Sequence, residues 1–127
     1  MSKTSKRELE DKQRAVKLLS QYYPMDLHLN ALRRIKRSKQ KKGEDTEVLQ
    51  KQIDRLYDEI IPLGEQIAKL VDRLPEVEKA IIVQTYICGE DQQSIADSLH
   101  YSTQHIRRKK QLALKTIGIM LREDERQ

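Results

Sequence analysis

The chain has 127 residues, enough for one compact unit or a small domain with an extended arm. Hydrophobic residues make up 37% and charged residues 35%, against averages of about 45–50% and about 25%, so the chain can bury a modest core but not several layers. With four Gly, three Pro and no alternating β-branched runs, a sheet is disfavoured and an all-α fold is expected.

The net charge of +5 is unevenly distributed. Residues 1–47 carry 13 Lys and Arg against 7 Asp and Glu, a balance of +6; residues 48–101 stand at −5 and residues 102–127 at +4. Two basic ends around an acidic middle are the footprint of localised nucleic-acid contact. The five aromatic residues are all Tyr, too few for the stacking platforms of single-strand binders, which favours duplex DNA over RNA.

Residues 1–43 are expected as a basic N-terminal helical arm. A first helix over 5–23 carries Leu9, Val16, Leu19 and Tyr23 along one side and ends at Tyr23-Pro24, because the residue before Pro avoids helical backbone. Leu27, Ala31, Leu32 and Ile35 mark a second helix, which runs into a stretch where seven of the ten residues 33–42 are basic. Arg33, Arg34, Lys36, Arg37, Lys39, Lys41 and Lys42 are either a second phosphate-contacting arm or a solvated helix end stopped by Gly43.

Residues 44–74 are expected as a long heptad-patterned helix. Leu49, Ile53, Leu56, Ile60, Leu63, Ile67, Leu70 and Leu74 alternate by four and three. With leucine at d and isoleucine at a, the pattern favours a parallel two-stranded coiled coil. Pro62 falls outside the seam and predicts a kinked helix, or two helices meeting at Ile61-Pro62. The same stripe can instead pack within the chain, and positions e and g lack repeated charge pairing, so an oligomer seam and a bundle seam both stay open.

Residues 75–121 contain two helices joined by a tight turn, followed by a charged tail at 122–127. Asp91 is the expected N-cap of the first, with Ile95 and Leu99 four apart and Ala96 small enough for a close crossing. His100 stands at the turn, where a left-handed backbone is needed and His is tolerated. Ser102 is the expected cap of a second helix from Thr103 to about Leu121, with Ile106, Ala113, Ile117 and Leu121 facing the core. In this helix-turn-helix layout the opposite face enters the major groove. Gln104 and Arg108 are the candidate base readers, since Gln pairs bidentately with adenine and Arg with guanine. Arg107, Lys109 and Lys115 are candidate phosphate clamps, and Ser102, Thr103, His105 and Gln111 complete the expected contact set.

At these residues the chain resembles a known family. Leu74-Pro75 opening a helix, then Gly89, Ile95-Ala96, Leu99, Ser102, Ile106-Arg107 and Ala113-Leu114 look like the promoter-reading C-terminal domain of bacterial sigma factors. With a long helix just before the Leu-Pro, the arrangement is similar to phage late-gene transcriptional regulators of the RinA/ArpU type. The matching part is residues 74–121. His100 replaces the usual turn Gly, and Thr103-Gln104-His105 replaces a charged triplet, so the resemblance implies the docking mode and leaves the recognised sequence open.

His28, His100 and His105 are scattered, without the Cys or carboxylate spacing of a zinc site, and no phosphate-binding Gly-Lys-Ser/Thr loop or serine nucleophile elbow occurs. No metal, cofactor or enzymatic activity is expected. Cys88 reads as a buried reduced thiol. A charged N-terminus and the lack of a long apolar run predict a cytoplasmic protein with no membrane partner. Together these readings predict a sequence-specific, duplex-DNA-binding transcriptional regulator. The resemblance implies a phage late-gene activator at a promoter, with host RNA polymerase as a partner, and a homodimer would gain specificity from half-site spacing. Two other readings stay open: a phage small terminase subunit binding packaging-site DNA, and a protein-interaction adaptor whose basic helix never meets DNA.

Overall fold

The computed structural model describes residues 3–126. They form α1 (Lys3–Leu19), α2 (Tyr22–Lys41), α3 (Glu47–Val71), α4 (Glu76–Ile82), α5 (Gln92–Leu99) and α6 (Thr103–Asp124). A π-helical turn, Val83–Ile87, carries α4 on toward α5, and no strand occurs among the described residues. The fold is all-α, with the helix-turn-helix at its C-terminal end.

The first helix boundary differs from expectation. α1 stops at Leu19, and Gln21 Nε2 donates to the Lys17 carbonyl at 3.0 Å, covering one of the acceptors left open at the helix end. Pro24 ends nothing. It is the third residue of α2, in a first turn whose N–H groups have no intrahelical acceptor, so its missing N–H breaks no bond. Residues 1–43 are therefore not one arm: α1 packs on α6, while α2 pairs antiparallel with α3 across the Lys42–Thr46 connection.

α3 is a single helix through Pro62, not two helices meeting there. Pro62 itself is exposed, while Ile60 and Leu63 on either side are buried in two different clusters. Burying each such side chain stabilises by about 1.5–3 kcal/mol, enough together to offset a proline cost of about 3 kcal/mol. The heptad stripe is divided between these clusters. Leu49, Ile53, Leu56 and Ile60 pack against Leu29 and Leu32 of α2. Leu63, Ile67, Leu70 and Leu74 join Ala15 and Leu19 of α1, Ile82 of α4, and Ala113, Leu114, Ile117 and Met120 of α6. The stripe packs within one chain and is not free for a parallel coiled coil.

α1 and α6 run parallel, since Glu8 meets Lys115 while Asp11 meets Gly118 and Arg122 further along both helices. At the crossing Gly118 admits the α1 backbone: a Cβ there would collide with the main chain of Asp11. Asp11 is buried, and Arg122 approaches it with Nε 3.2 Å from Oδ1 and Nη2 donating to Oδ2 at 3.3 Å. Arg122 thus belongs to the α6 core contact, not to a tail. Cys88, expected as a buried thiol, is exposed, since it is the neighbouring Tyr86 and Ile87 that pack on the core while Tyr23 lies against Gly89.

Gly118→Ala sets a gain in helix propensity of up to about 1 kcal/mol against overpacking of about 1–3 kcal/mol. Overpacking should win, because the colliding atoms are backbone and cannot rotate away. A lower denaturant midpoint is expected, measured by helical circular dichroism.

Candidate nucleic-acid interface

The helix-turn-helix is held by a set of short-range devices. Asp91 Oδ1 accepts from the Ser94 backbone N–H at 2.8 Å and starts α5. That hydrogen bond holds the Asp91 carboxyl below its ordinary value. His100, with φ 62° and ψ 41°, is in the left-handed region, and the next N–H, of Tyr101, donates back to the Ala96 carbonyl at 3.0 Å. Ser102 Oγ then accepts from the His105 N–H at 3.1 Å and starts α6. Gln92 Nε2 donates to the Thr103 carbonyl at 3.1 Å, tying the first turn of α5 to the first turn of α6. Beneath these bonds Ile95, Ala96 and Ile106 pack on Ile81 of α4, flanked by Val77 and Leu99. The second helix is thus fixed in angle before any ligand arrives.

Its surface sorts as a reading helix requires. Ile106, Ala113, Leu114, Ile117 and Met120 are buried, while Gln104, Arg107, Arg108 and Gln111 are exposed. Thr103, His105 and Lys109 are half-buried on the flanks. Among the described residues no carboxylate pairs with Arg107, Arg108, Lys109 or Lys110. Four unneutralised cations therefore occupy one end of α6, the arrangement that attracts a phosphate backbone.

Ser102 forms the expected cap with its hydroxyl, while two other positions change meaning in the fold. Lys115, expected as a phosphate clamp, is bound to Glu8 of α1 with Nζ 2.5 Å from Oε1. This ion pair, chiefly through its hydrogen bond, holds the Glu8 carboxyl below its ordinary value. His105 is stacked on Tyr101 with ring centroids 4.4 Å apart. Sequence reasoning missed Tyr101, although an aromatic residue one position before a helix cap was a usable signal. It also missed Lys12, which lines a groove with Arg107, Arg108 and Gln111 and which only the α1–α6 packing brings there.

The basic stretch of α2 lies in another part of the fold. Arg33 stacks over Tyr57 with its guanidinium carbon 4.8 Å from the ring centroid, Lys36 donates to Gln50, and Lys39 lies 3.9 Å from Glu44. Arg34, Arg37, Lys41 and Lys42 are exposed. These residues border the α2–α3 cluster, not the helix-turn-helix cluster. Among the described residues no group of His, Cys, Asp and Glu could hold a metal ion, and no helix is long and apolar enough to cross a membrane.

Residues 70–117 match the family model described as Sigma-70, region 4. The match starts at the end of α3 and stops within α6, so it takes in the whole helix-turn-helix and leaves α1, α2 and most of α3 outside. No curated protein and no solved structure matches the chain. Geometry and family model agree on a sigma-factor-like helix-turn-helix DNA-binding region.

Ser102→Ala should lower stability by about 1 kcal/mol, with site preference retained, measured by denaturation and duplex binding in parallel. For Glu8 the folded pKa is depressed, so its contribution is present above the ordinary carboxylate range and lost as pH falls through the depressed value. Glu8→Gln should therefore reduce acid sensitivity below about pH 4, read as the change in thermal midpoint between neutral and acid buffer.

Proposed function

We propose that the protein is a sequence-specific transcriptional regulator that inserts the first turns of α6 into the major groove of duplex DNA. The observation that carries this reading is the exposed Gln104–Arg107–Arg108–Gln111 face, without an ion partner among the described residues, at the fixed end of a sigma-factor-like helix-turn-helix. Gln104 and Arg108 read base edges, while Arg107 and Lys109 fix register on phosphates.

The sigma-like segment supports action at a promoter, and a phage late-gene activator touching RNA polymerase is the specific form proposed. The polymerase-facing surface would be supplied by helices outside the segment that matches region 4. Half-site binding by two copies would use a surface other than the heptad stripe, which packs within the chain. A small terminase subunit that assembled through a coiled coil would need the same stripe, so its packing within the chain favours the regulator over that reading.

Selection from a randomised duplex library tests the proposal. Wild type should enrich a discrete motif, and Gln104→Ala with Arg108→Ala should erase it, each lost bidentate contact weighing about 1–3 kcal/mol. Arg107→Ala should instead weaken binding to all sequences and lower the salt slope by about one. A motif unchanged in the Gln104/Arg108 double variant would refute the assignment of base readers.

A further inference from the structure

We infer that the N-terminal half of α1 is a second DNA-contacting element, which grips the phosphate ridge beside the groove that α6 enters. This rests on the reading of α6 as the groove-inserting helix. The sigma-like segment does not contain α1, so the contact is specific to this chain's own architecture.

The geometry starts from the parallel packing of the two helices. Because Glu8 is level with Lys115 and Asp11 with Gly118, the turn of α1 before Glu8 runs beside the turn of α6 before Lys115. α1 thus approaches α6 from the side on which Gln111 and Arg107 are exposed. Between the two helices lies a groove of about 470 Å³, lined by Lys12 of α1 with Arg107, Arg108 and Gln111 of α6 among others. A helix seated in a major groove about 12 Å wide has a phosphate ridge on each side. α1 lies on that same side of α6 but starts only about level with Lys110 and Gln111, so its N-terminal turns stand at the ridge bordering the groove that the first turns of α6 enter.

The charges suit such a neighbour. Two acids of α1 that would repel a phosphate are engaged by α6, Glu8 with Lys115 and Asp11 with Arg122. Lys6 and Arg7 are exposed and Lys12 is half-buried in the groove, with Glu10 as the only unpaired acid of α1 among the described residues. The ion pairs that dock α1 therefore also neutralise two of its three acids, leaving Lys6, Arg7 and Lys12 against Glu10.

The test uses the full chain with Lys6, Arg7 and Lys12 all changed to Ala, checked for unchanged helical content. Binding to a selected duplex and to an unrelated duplex is followed across salt concentration. The triple variant should bind both duplexes more weakly, keep the ratio between them, and lose about two to three units of salt slope. Equal affinity and slope in wild type and variant would overturn the α1 contact while leaving the α6 reading in place. Tighter binding by the variant would also overturn it, by showing that α1 obstructs the duplex. If wild type prefers no duplex and binds none, the α6 reading and this one fail together.

Discussion

The close crossing of α1 over α6 at Gly118 governs the arrangement of the other helices. A side chain at that position would separate the helices, and with them Ala15 and Leu19 from Ala113, Leu114 and Ile117. Asp11 is buried at the same crossing and is acceptable there because Arg122 reaches it. Steric fit and charge thus specify one register between two helices separated by almost the full length of the chain. The consequence for function is that α6 is braced along its C-terminal half, while Gln104, Arg107 and Arg108 of its N-terminal turns stay exposed.

That division of α6 recurs in the division of the core. One cluster joins α1, the second half of α3, α4 and α6; a second joins α2 to the first half of α3; a third lies under the helix-turn-helix. Ile81 and Ile82 are adjacent on α4 and are both fully buried, one in the helix-turn-helix cluster and the other in the central cluster. α4 therefore couples the reading unit to the rest of the molecule through rigid packing. The α2–α3 hairpin is attached through the continuous α3, whose heptad residues change partners at Pro62.

Local features were legible in the sequence because they are decided by neighbouring residues. The Asp91 and Ser102 caps, the left-handed His100 and the buried Ile106, Ala113 and Ile117 all follow from spacing within a few turns. Long-range features were not legible. The ambiguity of the heptad stripe was real, since a seam of Ile and Leu looks the same to a second copy as to α2 and α6. Lys115 read as a free cation because its partner, Glu8, is 107 residues away. Pro24 misled for a different reason: a proline early in a helix and a proline ending one are distinguished only by where the preceding turn falls. The role of Gly118 was hidden because a mid-helix glycine shows its use only when another backbone lies against it.

One measurement tests most directly whether DNA meets α6 at its exposed end. The full chain, labelled with nitrogen-15, would be titrated with a duplex recovered by selection, following backbone amide shifts. The largest changes are expected from Thr103 to Gln111, with little change in the buried C-terminal half of α6. Large changes confined to residues 33–42 of α2, with α6 silent, would contradict the assignment and make the basic end of α2 the nucleic-acid surface.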